Sequence, residues 1–120
     1  LCGDPVPPGE LFAAPSADQL AGIAVCLLDA APHAQRERLL ARGDDLTLLP
    51  HHLAFAAWMR EHARDHRHRP EVLLHDSWEA MRWERWMRDD LHRPPWEAQI
   101  IDTTDLTPVE VSARVAAWIR

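Results

Sequence analysis

The sequence contains no lysine, and its 13 lysine-or-arginine positions are all arginine. This absence excludes mechanisms that need an ammonium group, such as a Schiff-base lysine or a phosphate-binding loop ending in Gly-Lys-Ser/Thr. Cysteine is scarce: Cys2 and Cys26 cannot build a disulfide scaffold, which is typical of a reducing compartment. No apolar run reaches the roughly 18 residues of a membrane span, and no secretory signal pattern occurs. We therefore expect a cytoplasmic protein with no membrane association.

The 120 residues are enough for one domain, and a hydrophobic content of 47% permits a core. The chain begins at Leu1 without an initiator methionine, and we expect it to be part of a longer protein. Its net charge of −6 is uneven: residues 33–93 hold 11 arginines and all eight histidines against 11 acids. A neutral, arginine-dense middle between acidic ends favours a small anionic ligand over nucleic acid. The alternative is a solvated surface of mixed charge.

The first half of the chain predicts a strand followed by a helix. Residues 20–28 are uncharged without polar alternation, which indicates a strand covered on both faces, as in a parallel sheet. Before it, residues 1–4 look like the end of another strand, and the prolines of residues 5–9 predict a loop. Ser16 begins a capping-box pattern for one short helical turn. A helix is predicted over residues 33–42, with Asp29 as its cap, Pro32 in its first turn and Gly43 just past its end.

The second half predicts three more helices and one strand. Residues 50–64 form the first helix, whose apolar side is Leu53, Ala54, Ala57 and Trp58. A capping box at 76–79 predicts a helix that continues to Met87 or Leu91. Residues 98–102 form a strand. Thr107, Pro108 and Glu110 then open the last helix, with Val111, Val115 and Trp118 on one face. This order indicates an α/β fold with a parallel sheet.

Two arginine-rich segments are candidates for binding phosphate. Arg36, Arg38 and Arg42 lie on the helix predicted after the buried strand, and Arg38 and Arg42 are one helical turn apart, so both of these guanidinium groups can face one anion. Exposed pairing with Glu37, Asp44 or Asp45 is the alternative. Residues 60–69 hold four more arginines, beginning at Arg60, and suit a segment that closes over phosphates. His62 and His66 have the spacing of a zinc pair, but the neighbouring arginines disfavour a dication, and no metal site is predicted.

Polar turns at strand ends are the next candidates. Asp102, Thr103 and Thr104 follow the last strand, and ligands of open α/β sheets bind at the carboxyl ends of strands. These side chains are equally suited to completing the turn itself. Asp4, at the end of the first predicted strand, is a candidate for orienting a magnesium-bound water or accepting a proton. A structural turn is again the alternative.

Tryptophan and arginine alternate in residues 78–88. Trp83 and Trp86 have helical spacing, which favours a place in the core with arginines covering the rings. The alternative is that the rings stack on bases or on a protein partner. Neither a Ser-His-Asp nor a Cys-His arrangement finds support in the sequence.

Several segments together resemble the C-terminal half of small P-loop kinases. They are LCGDPVPPGEL, GIAVCLL, QRERLLARG, HHLAFAAWMREHA and IIDTTDLTPVEVSARVAAWI. Adenylate, shikimate and gluconate kinases, and nucleoside-kinase-like proteins labelled as AAA-family ATPases, share this order. The resemblance implies that residues 1–120 are the C-terminal portion of one nucleotide-kinase-like domain. Its fold would be a partial three-layer α/β domain with a parallel sheet, lacking the N-terminal strand and P-loop, in which residues 44–95 form a helical lid-like excursion.

The same resemblance implies ATP and Mg²⁺ as cofactors and a small-molecule phosphate acceptor. By position, Arg38, Arg42 and Arg60 would contact ATP phosphates, with Arg42 and Asp4 in catalytic places. Asp102, Thr103 and Thr104 would lie beside the base. The missing N-terminal half, with its Gly-rich loop, is implied as the partner that completes the domain, so this chain alone is expected to transfer no phosphate. The alternative function is a non-enzymatic protein- or nucleic-acid-binding module built on the Trp/Arg-rich helix.

Overall fold

A computed structural model describes residues 6–74 and 79–119 and has a mixed α/β fold. Its strands are β1 (Ala24–Asp29) and β2 (Glu97–Asp102). Its helices are α1 (Pro8–Ala13), α2 (Pro32–Arg42), α3 (Leu49–Arg64), α4 (Glu71–Leu74) and α5 (Pro108–Ile119). Short 3-10 turns cover Pro15–Gln19 and Trp83–Arg85. Across these described ranges, no helix is long and apolar enough to cross a bilayer.

The two strands pair in parallel, as the sequence predicts. At one end Glu97 donates its backbone N–H to the carbonyl of Ile23 over 3.1 Å, and at the other Thr103 donates to Asp29 over 2.7 Å. The sequence offset between the paired residues is the same at both ends, as it must be when the two strands run in the same direction. The expected cover on both faces of β1 is wrong, since Leu28 is 50% exposed.

Helix α2 runs from Pro32 to Arg42, and its end before Gly43 is as predicted. Gly43 has a φ of 86°, and its N–H donates to the carbonyl of Leu40, which is the geometry that ends a helix at glycine. The predicted cap is wrong: Ala31 occupies that position, and the carboxylate of Asp29 accepts from the N–H of Ala30 instead. The helix starts without a side-chain cap. Proline at its first position has no N–H, so one unpaired donor fewer is left at this end.

Helix α5 begins with the predicted capping box. Thr107 donates its N–H to Oε2 of Glu110 over 2.8 Å, and Glu110 donates its N–H back to Oγ1 of Thr107 over 3.3 Å. Val111, Val115 and Trp118 are partly buried along one face, whereas Val109 is 78% exposed. A local sequence signal thus fixes the start of this helix.

The described chain divides into two compact units. Unit 1 comprises Leu1–Val25 and Trp58–Ala98, and unit 2 comprises Cys26–Ala57 and Gln99–Arg120. The core of unit 1 is built on Trp86 and Trp96, which are 0% and 5% exposed. This confirms the core interpretation of Trp86, and Trp83 packs against the same cluster.

Three local predictions in unit 1 and at its boundary need correction. Residues 79–91 form no α-helix, because the 3-10 turn Trp83–Arg85 is anchored by tertiary contacts: Arg82 donates its N–H to the carbonyl of Ala13 over 2.7 Å. The predicted loop at residues 5–9 is wrong from Pro8 onward, since Pro8 starts α1. In α3, the predicted apolar side is wrong at Ala54 and Ala57, which are both exposed. The buried residues of its last turns are Trp58, Met59, His62 and Ala63.

Candidate functional site

The carboxyl ends of the two strands in unit 2 form a polar corner, made of Asp29 and residues 102–104. Thr103 donates its N–H and its hydroxyl to the carbonyl of Asp29, over 2.7 and 2.8 Å. These two hydrogen bonds join the carboxyl end of β2 to that of β1. Thr103 is only 6% exposed. The arrangement exists because threonine carries a short hydroxyl that reaches a neighbouring strand's last carbonyl. In parallel α/β sheets, this edge is where ligands bind.

Arg38 ties helix α2 to that corner. Its Nη1 donates to Oγ1 of Thr103 over 2.9 Å, and its Nη2 donates to the carbonyls of Thr103 and Thr104 over 2.6 and 3.2 Å. The planar guanidinium suits this task because its donors diverge within one plane toward several acceptors. Since these acceptors are neutral, the bonds position the charge of Arg38 without neutralising it.

Thr104 completes the corner on its other side. Its hydroxyl accepts the N–H of Ala31 over 2.8 Å, at the residue that precedes α2. The carboxylate of Asp102 accepts both the N–H and the hydroxyl of Thr104, over 2.9 and 2.6 Å. Asp102 therefore performs the turn-forming role that the sequence left open as its alternative.

Arg42 lies one helical turn beyond Arg38, about 6 Å farther along the axis. Its Nε donates to Oδ1 of Asp44 over 2.6 Å, and its Nη2 contacts the second oxygen of the same carboxylate. The hydrogen bonds from Arg42 lower the pKa of Asp44. The Arg42 side chain is 68% exposed, so its guanidinium meets solvent while it pairs with Asp44.

Of the predicted site residues, the structure brings together Arg38, Asp102, Thr103 and Thr104. Arg42 shares the helix of Arg38 but is paired with Asp44. Arg60 lies on α3, in unit 1. Asp4 lies outside the described residues. Within the described ranges, no three His, Cys, Asp or Glu side chains group closely enough to hold a metal ion.

His62, on α3, and His66, in the turn after that helix, belong to the core of unit 1. His62 is 0% exposed and its ring stacks on Trp58 with centroids 4.6 Å apart. Burial lowers the pKa of His62 to about 4, and burial also lowers the pKa of His66. Nε2 of His62 accepts the N–H of Gly9 over 3.0 Å. The ring of His62 is therefore a neutral core group, and its Nε2 already accepts a hydrogen bond.

The sequence did not predict the contacts of two residues. Thr103 was expected to face a ligand, but its hydroxyl joins the two strands and receives Arg38. Arg85 was one arginine among several, yet its Nη1 donates to the carbonyl of Ala14 over 2.7 Å. Both partners are distant in sequence, so residue spacing carried no signal for either contact.

The corner combines the guanidinium of Arg38 with the carboxylates of Asp29 and Asp102 and with neutral carbonyls and hydroxyls at the ends of parallel strands. Arg38 is held by the corner itself, and Arg42 presents its guanidinium at the solvent edge. The exposed guanidinium of Arg42 can attract an anion without proton transfer. Comparison with protein-family models, curated proteins and solved structures finds no match to this chain.

Proposed function

We propose that this chain is the C-terminal part of an ATP-binding P-loop kinase-like protein. When complete, the protein would transfer the γ-phosphoryl group of ATP to a small acceptor. This chain would contribute the arginine helix α2 and the polar corner after β2, while the phosphate-binding loop would come from the N-terminal part of the domain. The chain by itself would then transfer no phosphate.

The observation that carries the proposal is the contact between Arg38 and Thr103. The resemblance named the helix after one strand and the turn after another as parts of one nucleotide site. Arg38 joins these two segments through Thr103 and Thr104, at the carboxyl ends of parallel strands. Segments far apart in the sequence are thus neighbours at the edge where α/β sheets bind ligands.

The two arginines of α2 receive different roles under this proposal. Arg38 is a positioning residue, because its guanidinium holds the corner and is oriented by three acceptors there. Arg42 is the phosphate ligand, because its guanidinium is exposed and an anion can replace the carboxylate that it pairs with. A guanidinium in that place stabilises charge that develops on the transferred phosphoryl group. Arg60 and Asp4 keep the roles that the resemblance implies.

The residues fit ATP better than they fit a bare metal ion. The exposed guanidinium of Arg42, on the helix that Arg38 ties to the corner, is a donor suited to phosphate oxygens. Mg²⁺ supplies charge neutralisation when bound with ATP, and it takes most of its ligands from phosphates and water. The proposal therefore assigns the ion no ligand among the described side chains.

The test is ATP binding by the complete protein, measured by calorimetry. Arg42→Ala is expected to weaken binding about tenfold, because a charge-assisted hydrogen bond is lost. Arg36→Ala is the matched control, since Arg36 is exposed on the same helix. If the two substitutions weakened ATP binding equally, Arg42 would act only through its general positive charge. That result would contradict its assignment as the phosphate ligand.

A second test needs only the coding sequence upstream of Leu1. The proposal expects a strand followed by a Gly-rich loop with Lys and Ser/Thr. An upstream sequence without such a loop would overturn the kinase function. The rival function, a binding module on a Trp/Arg-rich helix, loses its main support because residues 79–91 form no such helix.

A further inference from the structure

Unit 1 carries a groove of about 510 Å³ lined by three arginines. Its charged lining residues are Arg82, Arg85, Arg88, Asp18 and Glu84, and Phe12 supplies an apolar wall. We call it the arginine groove. It is separate from the residues of the polar corner, all of which belong to unit 2.

The central guanidinium of the groove is held rigidly. Arg85 donates from Nη1 to the carbonyl of Ala14 over 2.7 Å and to that of Phe12 over 3.3 Å, and its side chain is 13% exposed. The N–H of Arg82 donates to the carbonyl of Ala13 over 2.7 Å, which fixes the backbone beside it. Because neutral carbonyls hold Arg85, its positive charge is positioned without being neutralised by them.

Nη2 of Arg85 pairs with an exposed carboxylate. It lies 2.7 Å from Oδ2 of Asp18 without forming a well-directed hydrogen bond. The Asp18 side chain is 70% exposed. An ion pair with so exposed a carboxylate contributes little stability, so an anion with better-placed acceptors can displace Asp18.

The two flanking arginines are paired with exposed carboxylates. Nε of Arg82 contacts Glu84 over 2.6 Å, and Nε of Arg88 donates to Asp90 over 2.9 Å. Glu84 and Asp90 are each 62% exposed. Exposed ion pairs of this kind contribute little stability, so a ligand with higher charge density can displace the carboxylates.

We propose that the arginine groove binds a small polyanion that carries a di- or triphosphate group. Three guanidinium groups spaced three residues apart in one segment offer planar, bidentate donors for several phosphate oxygens. Glu84, Asp90 and Asp18 occupy these donors until the ligand replaces them. The size of the groove suits a compact ligand, and its mixed charge gives no extended basic track of the kind long nucleic acid requires.

The probe for the test is inorganic tripolyphosphate, titrated calorimetrically into the chain at low ionic strength. The titration uses the Arg42→Gln background, so that the arginine assigned to ATP in unit 2 does not contribute. Arg82→Gln and Arg88→Gln are each expected to weaken binding about tenfold. Arg64→Gln is the matched control: Arg64 is 56% exposed and pairs with Glu61, but it does not line the groove.

Removing the competing carboxylate gives the sharper result. Glu84→Gln is expected to tighten tripolyphosphate binding about two- to fivefold, because Arg82 no longer has an internal partner to give up. All these side chains are more than half exposed, so unchanged melting temperatures will show that the fold is intact. The proposal is overturned by absent binding, by an equal loss in Arg64→Gln, or by no gain in Glu84→Gln. Binding of an oligonucleotide that tripolyphosphate fails to compete would also overturn it.

Discussion

Gly9 donates its backbone N–H to Nε2 of His62 over 3.0 Å, in the buried part of unit 1. A Cβ on Gly9 would lie 2.9 Å from Cε1 of His62 and 3.0 Å from Cε2 of Trp86. Both atoms belong to rings packed against other aromatic side chains, so neither ring can move aside cheaply. The close approach of α1 to the aromatic core therefore depends on glycine at this position.

Gly9→Ala is expected to destabilise the protein by about 2 kcal/mol, because the added methyl group overpacks a filled core. Urea unfolding measures the change. Gly22→Ala is the control, since a Cβ there meets nothing within 4 Å. A Gly9→Ala protein as stable as Gly22→Ala would contradict the tight contact.

Acid is expected to weaken the fold through His62. Its pKa is about 4 when folded and near 6.5 when exposed, so the unfolded chain binds a proton more readily. The stabilisation that neutral His62 gives to the folded state is complete above pH 6.5. It is lost as the pH falls to about 4, where the free energy of unfolding is lower by roughly 3 kcal/mol. Protonation of Nε2 would also remove the acceptor that Gly9 uses.

The measurement is the free energy of unfolding against pH for the wild type and for His62→Gln. Glutamine retains an acceptor but does not titrate. The difference between the two curves should shrink as the pH falls from 6.5 to 4, since exposed carboxylates titrate alike in both proteins. Parallel curves across that range would show that His62 is not the responsible group.

Local signals predicted the fold well where the partners are close in sequence. The Thr107–Glu110 capping box and Gly43 at the end of α2 involve neighbouring residues, and both were readable. The conformation of residues 79–91 could not be read from the sequence, because tertiary contacts override helix propensity there. Nη2 of Arg67 donates to the carbonyls of Asp89 and Leu91, over 2.6 Å each.

The candidate site was predictable in its residues but not in their roles. The sequence pointed to Arg38 and to Thr103, since one lies on the helix after a strand and the other after a strand's end. It could not show that they bond to each other, because 65 positions separate them. Residue spacing identifies helix faces and turns, whereas the partner of a long side chain is decided by tertiary folding.

Arg38→Gln is expected to lower stability by about 1–2 kcal/mol, because three hydrogen bonds to the corner are lost and two carbonyls are left to water. Thermal unfolding checks this. Arg36→Gln, on the exposed side of the same helix, should change stability by less than about 0.5 kcal/mol. Equal melting temperatures for the two variants would contradict a positioning role for Arg38.

Thr107→Ala is expected to cost about 1 kcal/mol, because it removes the hydroxyl that accepts the N–H of Glu110 at the start of α5. Ser112→Ala is a suitable comparison. Ser112 bonds back to the carbonyl of Pro108 within the helix, so its removal should be nearly neutral. Chemical denaturation that shows the reverse order would mean that the capping box does not stabilise the helix.

We propose that α2 and the polar corner border one nucleotide site, and NMR of the complete protein with ATP reports on both segments at once. ATP is expected to shift the Nε–H signal of Arg42 and the backbone amide of Thr104 with the same affinity. The Nε–H of Arg36 should stay in place. Shifts confined to one of the two segments, or none in either at saturating ATP, would rule out a shared site.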